Sequence, residues 1–240
     1  MKSDMVVTFG LPLMAGLSLQ QFAGILAHEL GHCSQGAGLR VSWIVRSINF
    51  WFARTVYLRD QWDDFLVEAS EETDFRIGWI FWLARMAVFF SRGVLWCFMM
   101  VSHAATCWLL RQMEFDADRY QVRLSGSEHF EATFMRVHWL THGMQDFIRS
   151  RMLAPSTGRE TGNPIRDFIQ HCDSMSDQDE QRVRKRMLKA KTGLMDTHPC
   201  DSDRIASAKR ENAEGVFSSD LPAEALVRNF DALCLGLMQV

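Results

Sequence analysis

Between residues 93 and 110 the chain runs eighteen positions without an Asp, Glu, Lys or Arg. A stretch so long and apolar has two folding solutions, the interior of a helical core or the hydrocarbon of a bilayer, and in the bilayer the backbone must satisfy itself as helix. The preceding residues 77–91 are also strongly apolar but carry Arg85 in their middle, and a guanidinium at mid-bilayer is expensive unless it snorkels or is shielded by protein. Ser91-Arg92-Gly93 reads as a turn. The pattern therefore predicts a membrane-embedded helical hairpin over residues 77–110, with a pair of buried helices in a soluble core as the rival. Trp79, Trp82, Trp96 and Trp108 fall near the segment ends, as interfacial anchors do, and would equally fill a core.

The rest of the composition narrows the function classes. At 240 residues and 27.6 kDa the chain can hold one substantial core, or a catalytic domain with a helical appendage. A net charge of -3, from 26 basic and 29 acidic residues, gives no general reason to expect a polyanionic partner, and no nucleic-acid partner is expected. The charged run at residues 178–191 does not change that, because Asp and Glu interrupt it and no aromatics accompany it. Cys33, Cys97, Cys107, Cys172, Cys200 and Cys234 show no CxxC spacing and are expected as free thiols in a reducing setting.

Along the chain, residues 5–9 are apolar with three β-branched side chains and predict a buried strand ended by Gly10 and Pro12. Ser18 followed by Gln21 makes a capping-box pattern, opening a helix over residues 19–33 with Phe22, Ile25, Leu26 and Leu30 on one stripe. Residues 41–57 predict an amphipathic helix, residues 60–74 an acidic solvated stretch, and residues 114–124 and 128–147 two further helices. Pro155, Gly158 and Gly162 mark residues 154–164 as an exposed loop able to lie over a cleft. Helices are expected again at residues 178–191, 201–210 and 223–239.

Inside the first of these helices stands His28-Glu29-Leu30-Gly31-His32, an HExxH sequence. Four helical residues turn through about 400°, so the two imidazoles share a face and can approach one ion. Tetrahedral zinc asks this of two neutral histidines. Glu29, at the next angular position, can reach water held by the metal, take its proton during attack on a peptide carbonyl and pass it to the leaving amine. Chance matches of this kind sit on solvated helix faces, but ILAHELGHC embeds the polar trio in apolar helix, where uncoordinated His-Glu-His is costly to desolvate.

A third ligand must come from another element. Glu114 and Asp118 lie at i and i+4 on one helix face. Glu114 completes a His-His-Glu set with a position open to water, and Asp118 can fix the tautomer of a ligating histidine. Asp116 points elsewhere on the helix, and an exposed acidic face is the bland alternative for the pair. His103 sits in the apolar segment as a packed histidine, and His129, His138, His142 and His171 have no comparable spacing argument.

Taken together, MVVTFG, LAHELGH, RQMEFDADRY and THPCDSDRI, in this order, resemble the M48 metallopeptidases, membrane or membrane-associated zinc proteases related to bacterial HtpX-type quality-control enzymes and the CAAX prenyl protease. The resemblance implies an α+β, mostly helical, zincin-like domain spanning residues 1–240. The apolar insertion at 77–110 falls where family members carry membrane helices. It implies one Zn2+ per chain held by His28, His32 and Glu114, with Glu29 catalytic and Asp118 behind the ligands. His198 and Arg204 match a block thought to support the developing oxyanion or the active-site acids. Residues 5–9 would lie near the edge of a small active-site sheet, where extended substrate can pair. The implied substrates are unfolded or membrane-associated polypeptides, with lipid contact at the bacterial inner membrane and the site on the cytoplasmic side. The alternative is a membrane scaffold or chaperone-like module with a non-catalytic metal site. Beginning close before the HELGH helix, without the preceding membrane helices of full-length members, the chain reads as part of a longer protein.

Overall fold

The computed structural model describes residues 6–58, 64, 65, 68, 75–153 and 162–236. The described elements are α1 (Leu11–Gly16), α2 (Leu19–Ser34), α3 (Gly36–Tyr57), α4 (Phe75–Ser125), α5 (Ser127–Leu153), α6 (Pro164–Ser174), α7 (Asp177–Lys189), α8 (Asp201–Glu211), a 3-10 turn (Ala223–Leu226) and α9 (Phe230–Gly236). The chain divides into two compact units. The first comprises Met1–Ser34, Glu114–Thr192 and Pro199–Val240; the second comprises Gln35–Met113 and Gly193–His198.

In the first unit the helix ends follow local chemistry. Ser18 Oγ accepts from the Gln21 backbone N–H at 3.2 Å and Gln21 Oε1 accepts from that of Ser18 at 3.1 Å, so the capping box opens α2 as the sequence predicts. α4 stops at Gly126, whose φ of +91° and whose 2.8 Å approach of an added Cβ to the Glu214 carbonyl leave room only for glycine. Asn163 caps α6 through its side chain, with Pro164 at the first helical position. Two apolar clusters hold these helices together. Met14, Leu17, Phe22, Leu140, Phe168 and Phe230 join α1, α2, α5, α6 and α9; Val122, Phe130, Met187, Ile205 and Ala208 join α4, α5, α7 and α8. Each fully buried Phe or Leu contributes about 1.5–3 kcal/mol.

Two expectations are corrected. The strand at 5–9 does not form: Val6 to Phe9 is coil, Val6 is 84% exposed, and Met5 lies outside the described residues. A strand needs a paired neighbour, and the described residues contain no strand, only one isolated bridge between Ser18 and Pro222. The small active-site sheet is thus also absent among them. The hairpin turn at Ser91-Arg92-Gly93 is replaced by helix, since α4 runs unbroken from Phe75 to Ser125 and includes the separately expected 114–124 helix. No proline interrupts it, and a mid-helix glycine costs only about 1 kcal/mol. An added Cβ on Gly93 would meet nothing within 4 Å.

In the second unit the antiparallel partner of α4 is α3. Gly38 packs on Met113, Asn49 Nδ2 donates to Thr106 Oγ1 at 3.3 Å, and Arg92 Nη2 donates to the Leu58 carbonyl at 3.4 Å. The last contact places a cation on the C-terminal end of α3, where unsatisfied carbonyls favour it. α4 is long and apolar enough, by length and composition, to cross a membrane, and 17% of its apolar window is buried. Most of the acidic stretch at 60–74 and residues 154–161 of the expected loop lie outside the described residues, as do 237–240 of the last expected helix. The earlier part of that helix is split into the 3-10 turn and α9. None of the six cysteines forms a disulfide among the described residues.

Candidate metal centre

α2 carries His28 and His32, and the last turns of α4 carry Glu114 and Asp118. The two helices meet because α2 has glycine where they touch. A Cβ added at Gly31 would sit 2.9 Å from Tyr120 Cδ2 and 3.2 Å from Ala117 Cα; one at Gly24 would sit 2.9 Å from Ser125 Oγ. Ala117, Gln121 and Ser125 form an i, i+4, i+8 ridge on α4, of the kind that packs into a groove. Gly31 is thus what lets α2 and α4 approach.

His28 Nε2 and His32 Nε2 lie 3.2 Å apart, and Glu114 brings Oε2 to 3.6 Å from the first and Oε1 to 3.8 Å from the second. Atoms coordinated to one tetrahedral ion at about 2.0–2.2 Å lie about 3.3 Å from each other. The two nitrogens and the carboxylate therefore fit a single small divalent ion with modest closure of Glu114, and the donor set, two imidazoles and one carboxylate, is of the zinc type.

Asp118 stands behind His28, with Oδ1 3.1 Å from Nδ1 and the residue 2% exposed. An Nδ1–H donated to this carboxylate leaves the Nε2 lone pair facing the cluster. Asp118 is itself held by Arg204 of α8, which donates from Nε at 2.9 Å and from Nη2 at 2.5 Å. The same guanidinium lies 4.6 Å over the Phe134 ring and 3.7 Å from Glu114. Burial alone pushes the Arg204 pKa down, but the hydrogen bonds and charge of Asp118, with Glu114 and Asp201 adding, bring it above its ordinary value. The cation is fixed.

Glu29 is exposed and faces two cavities. One, of about 330 Å³, is shared with His28, Phe134, His138, Asp201 and Arg204. The other, of about 370 Å³, runs along Val6 to Gly10 and is bordered by Leu30 and Cys33. The coil that replaced the strand thus still lines a groove beside Glu29. Across the first cavity His138 Nε2 meets Asp201 Oδ2 at 2.8 Å. That hydrogen bond, opposed by burial and aided by the carboxylate charge, raises the His138 pKa above its ordinary value.

His198 is exposed and belongs to the second unit, whereas Arg204 belongs to the first. Sequence reasoning passed over His138 because its partner Asp201 is remote in the chain. The available signal was the acid that precedes Arg204 by one helical turn in the THPCDSDRI block.

The chain belongs to peptidase family M48, whose family model matches residues 2–212. It is similar to the Protease HtpX homolog of Methylacidiphilum infernorum (isolate V4), 24% identical over 163 residues, which is 68% of this chain and 52% of that protein. The chain therefore spans about half the length of this curated relative. No solved structure gives a significant match.

Proposed function

We propose that this chain is a zinc-dependent endopeptidase that hydrolyses unfolded or membrane-associated polypeptides. Its support is the convergence of His28, His32 and Glu114 on one point, with Glu29 adjoining it on the rim of two open cavities. Membership of family M48 supports the peptidase reading.

In this reading His28, His32 and Glu114 hold the ion and Asp118 keeps His28 in its ligating tautomer. Zinc bound there supplies a Lewis acid that polarises the scissile carbonyl and makes water more acidic. Glu29 takes the proton of the attacking water and returns it to the leaving amine. The extended substrate lies along Val6 to Gly10 in the second cavity and passes Glu29 into the first. Arg204 acts through Asp118, holding its carboxylate on His28, and His198 is assigned to the developing oxyanion. Residues 77–110 belong to a bilayer-embedded part of a single peptidase domain. By analogy with HtpX-type enzymes, that bilayer is a bacterial inner membrane and the site faces the cytoplasm.

The test is zinc content and cleavage of an unfolded protein by the full chain in detergent. Wild type binds and cuts; E29Q keeps stoichiometric zinc while turnover falls by about 10²–10⁴; E114A loses zinc affinity and activity together. Equal cleavage by wild type and E29Q removes the assigned base, and zinc without hydrolysis in both returns the scaffold reading. Glu29 argues against that scaffold, because a purely structural zinc is closed by four ligands and has no use for an adjacent base.

A further inference from the structure

The charged run at residues 178–191 has no part in hydrolysis, and folding sorts its signs. The acids of α7, Asp177, Asp179 and Glu180, all stand in its first turn, where they complement the helix N-terminus. Asp179 is also engaged in the capping box with Ser176. From residue 181 to residue 191 every charge is positive, and Arg182, Arg184, Lys185, Arg186, Lys189 and Lys191 are all exposed. Arg182 pairs with Asp179 at 3.1 Å and Arg184 with Glu131 at 3.5 Å. Lys185, Arg186, Lys189 and Lys191 have no acidic partner among the described residues. Met187 anchors the helix in the core with Val122 and Ile205, so Lys185 and Lys189, one turn apart on the other side, look outward. Leu188, 46% exposed, borders them. Attraction to the helix C-terminus accounts for Arg186 and Lys189 in the last turn, but not for Lys185 or Lys191.

Resting on the membrane reading, we propose that this basic face is a docking surface for the anionic phospholipid headgroups of the bilayer. Charge complementarity selects an anionic occupant, and chain connectivity selects the membrane. Two residues after Lys191 the chain reaches Gly193, whose carbonyl accepts from Arg111 Nη1, as do those of Leu194 and Asp196, at 3.4, 3.1 and 2.7 Å. Arg111 is the first charged residue after the uncharged run at 93–110, and in the membrane reading it marks the end of the hydrocarbon span. Two residues of chain cover at most about 7 Å, so Lys191 stays within one Debye length, about 10 Å, of that boundary. The face carries no aromatic side chain on which a base could stack, so it suits headgroups better than a single-stranded nucleic acid. Leu188 can enter the headgroup layer while the lysines beside it reach phosphates.

The experiment places the full chain in nanodiscs of phosphatidylcholine, alone or mixed with phosphatidylglycerol, and measures acetylation of each lysine by a soluble amine reagent with mass spectrometry. Lys185, Lys189 and Lys191 should react at least about threefold more slowly when phosphatidylglycerol is present, and high salt should remove the difference. In the variant Lys185→Gln with Arg186→Gln and Lys189→Gln, Lys191 is the reporter and should lose most of this protection, with the thermal midpoint unchanged. Equal reactivity in the two lipids, or protection of Lys191 that survives in the variant, overturns the proposal. Protection by single-stranded RNA but not by phosphatidylglycerol overturns it in favour of a nucleic-acid partner. Failure of the wild-type chain to float with phosphatidylcholine vesicles refutes the embedded reading separately. Flotation with phosphatidylglycerol vesicles then decides the face alone: capture of wild type and not of the variant supports it, and equal behaviour of the two overturns it.

Discussion

Arg204 donates two hydrogen bonds to Asp118 where neither side chain can be well solvated, the two being 15% and 3% exposed. Removing the guanidinium strands a buried carboxylate, so Arg204→Met is expected to lower stability in urea unfolding by roughly 3–5 kcal/mol. The double variant Arg204→Met with Asp118→Asn should recover a good part of that. Recovery of nothing would mean that packing of Arg204 over Phe134, and not the charge pair, carries the effect. His138 and Asp201 form a more exposed pair, 41% and 24%, so its contribution is small and screened, but its sign is definite. The folded state raises the His138 pKa, so the pair's stabilisation is complete below about pH 6.5, the unfolded value. It is lost as pH rises through the folded pKa. The stability difference between wild type and Asp201→Asn should accordingly be larger at pH 5.5 than at pH 8.5; a difference growing toward alkaline pH would contradict the assignment. His28, Glu29, His32, Glu114 and Asp118 were legible because each relation is an i, i+4 or neighbouring one on a single helix. Arg204 entered only through family resemblance, and His138 not at all, since their significance arises from elements distant in sequence.

At the level of elements, the site depends on how closely α2 crosses α4. Gly31→Ala places a Cβ against Tyr120 and the Ala117 backbone, and the backbone cannot yield as a side-chain end can. Overpacking of this kind costs about 1–3 kcal/mol, more than the helix-propensity gain of about 1 kcal/mol, and it moves His28 and His32 away from Glu114. Lower thermal stability and weaker zinc binding should therefore appear together. Gly93→Ala, with nothing near the new methyl, should instead be neutral to stabilising by up to about 1 kcal/mol. A clear loss there would favour the turn that the sequence suggested over the continuous α4. The sequence misled at both kinds of boundary for a physical reason. Ser91-Arg92-Gly93 has turn composition but no proline, so an established helix can run through it. Residues 154–164 are rich in breakers, yet Asn163 and Pro164 are a helix cap and first turn, a start signal read as part of a loop. The β-branched run at 5–9 had strand propensity without a strand to pair with, whereas Ser18 and Gln21 needed only each other.

For the whole chain, the unsettled energy is that of apolar surface. Trp43 and Phe50 of α3 and Phe89 and Phe90 of α4 are each about 70% exposed, and aromatic side chains of this size gain about 25 cal/mol for each Å² removed from water. The uncharged eighteen residues at 93–110 give about 27 Å of helix, close to the roughly 30 Å hydrocarbon thickness of a bilayer. Polar groups within the second unit are partly matched to each other, Asn49 with Thr106 and Arg92 with the end of α3, which lowers the cost of placing them near lipid. On the proposed membrane reading, lipid covers this surface. The full chain exchanged from detergent into phosphatidylcholine vesicles should co-float with them, with its tryptophan emission shifted to shorter wavelength and quenched by brominated acyl chains. Emission unchanged by vesicles, with the protein left in the aqueous fraction as a monodisperse species, would assign these aromatics to a protein partner and take the membrane out of the proposed function while leaving the metal centre untouched.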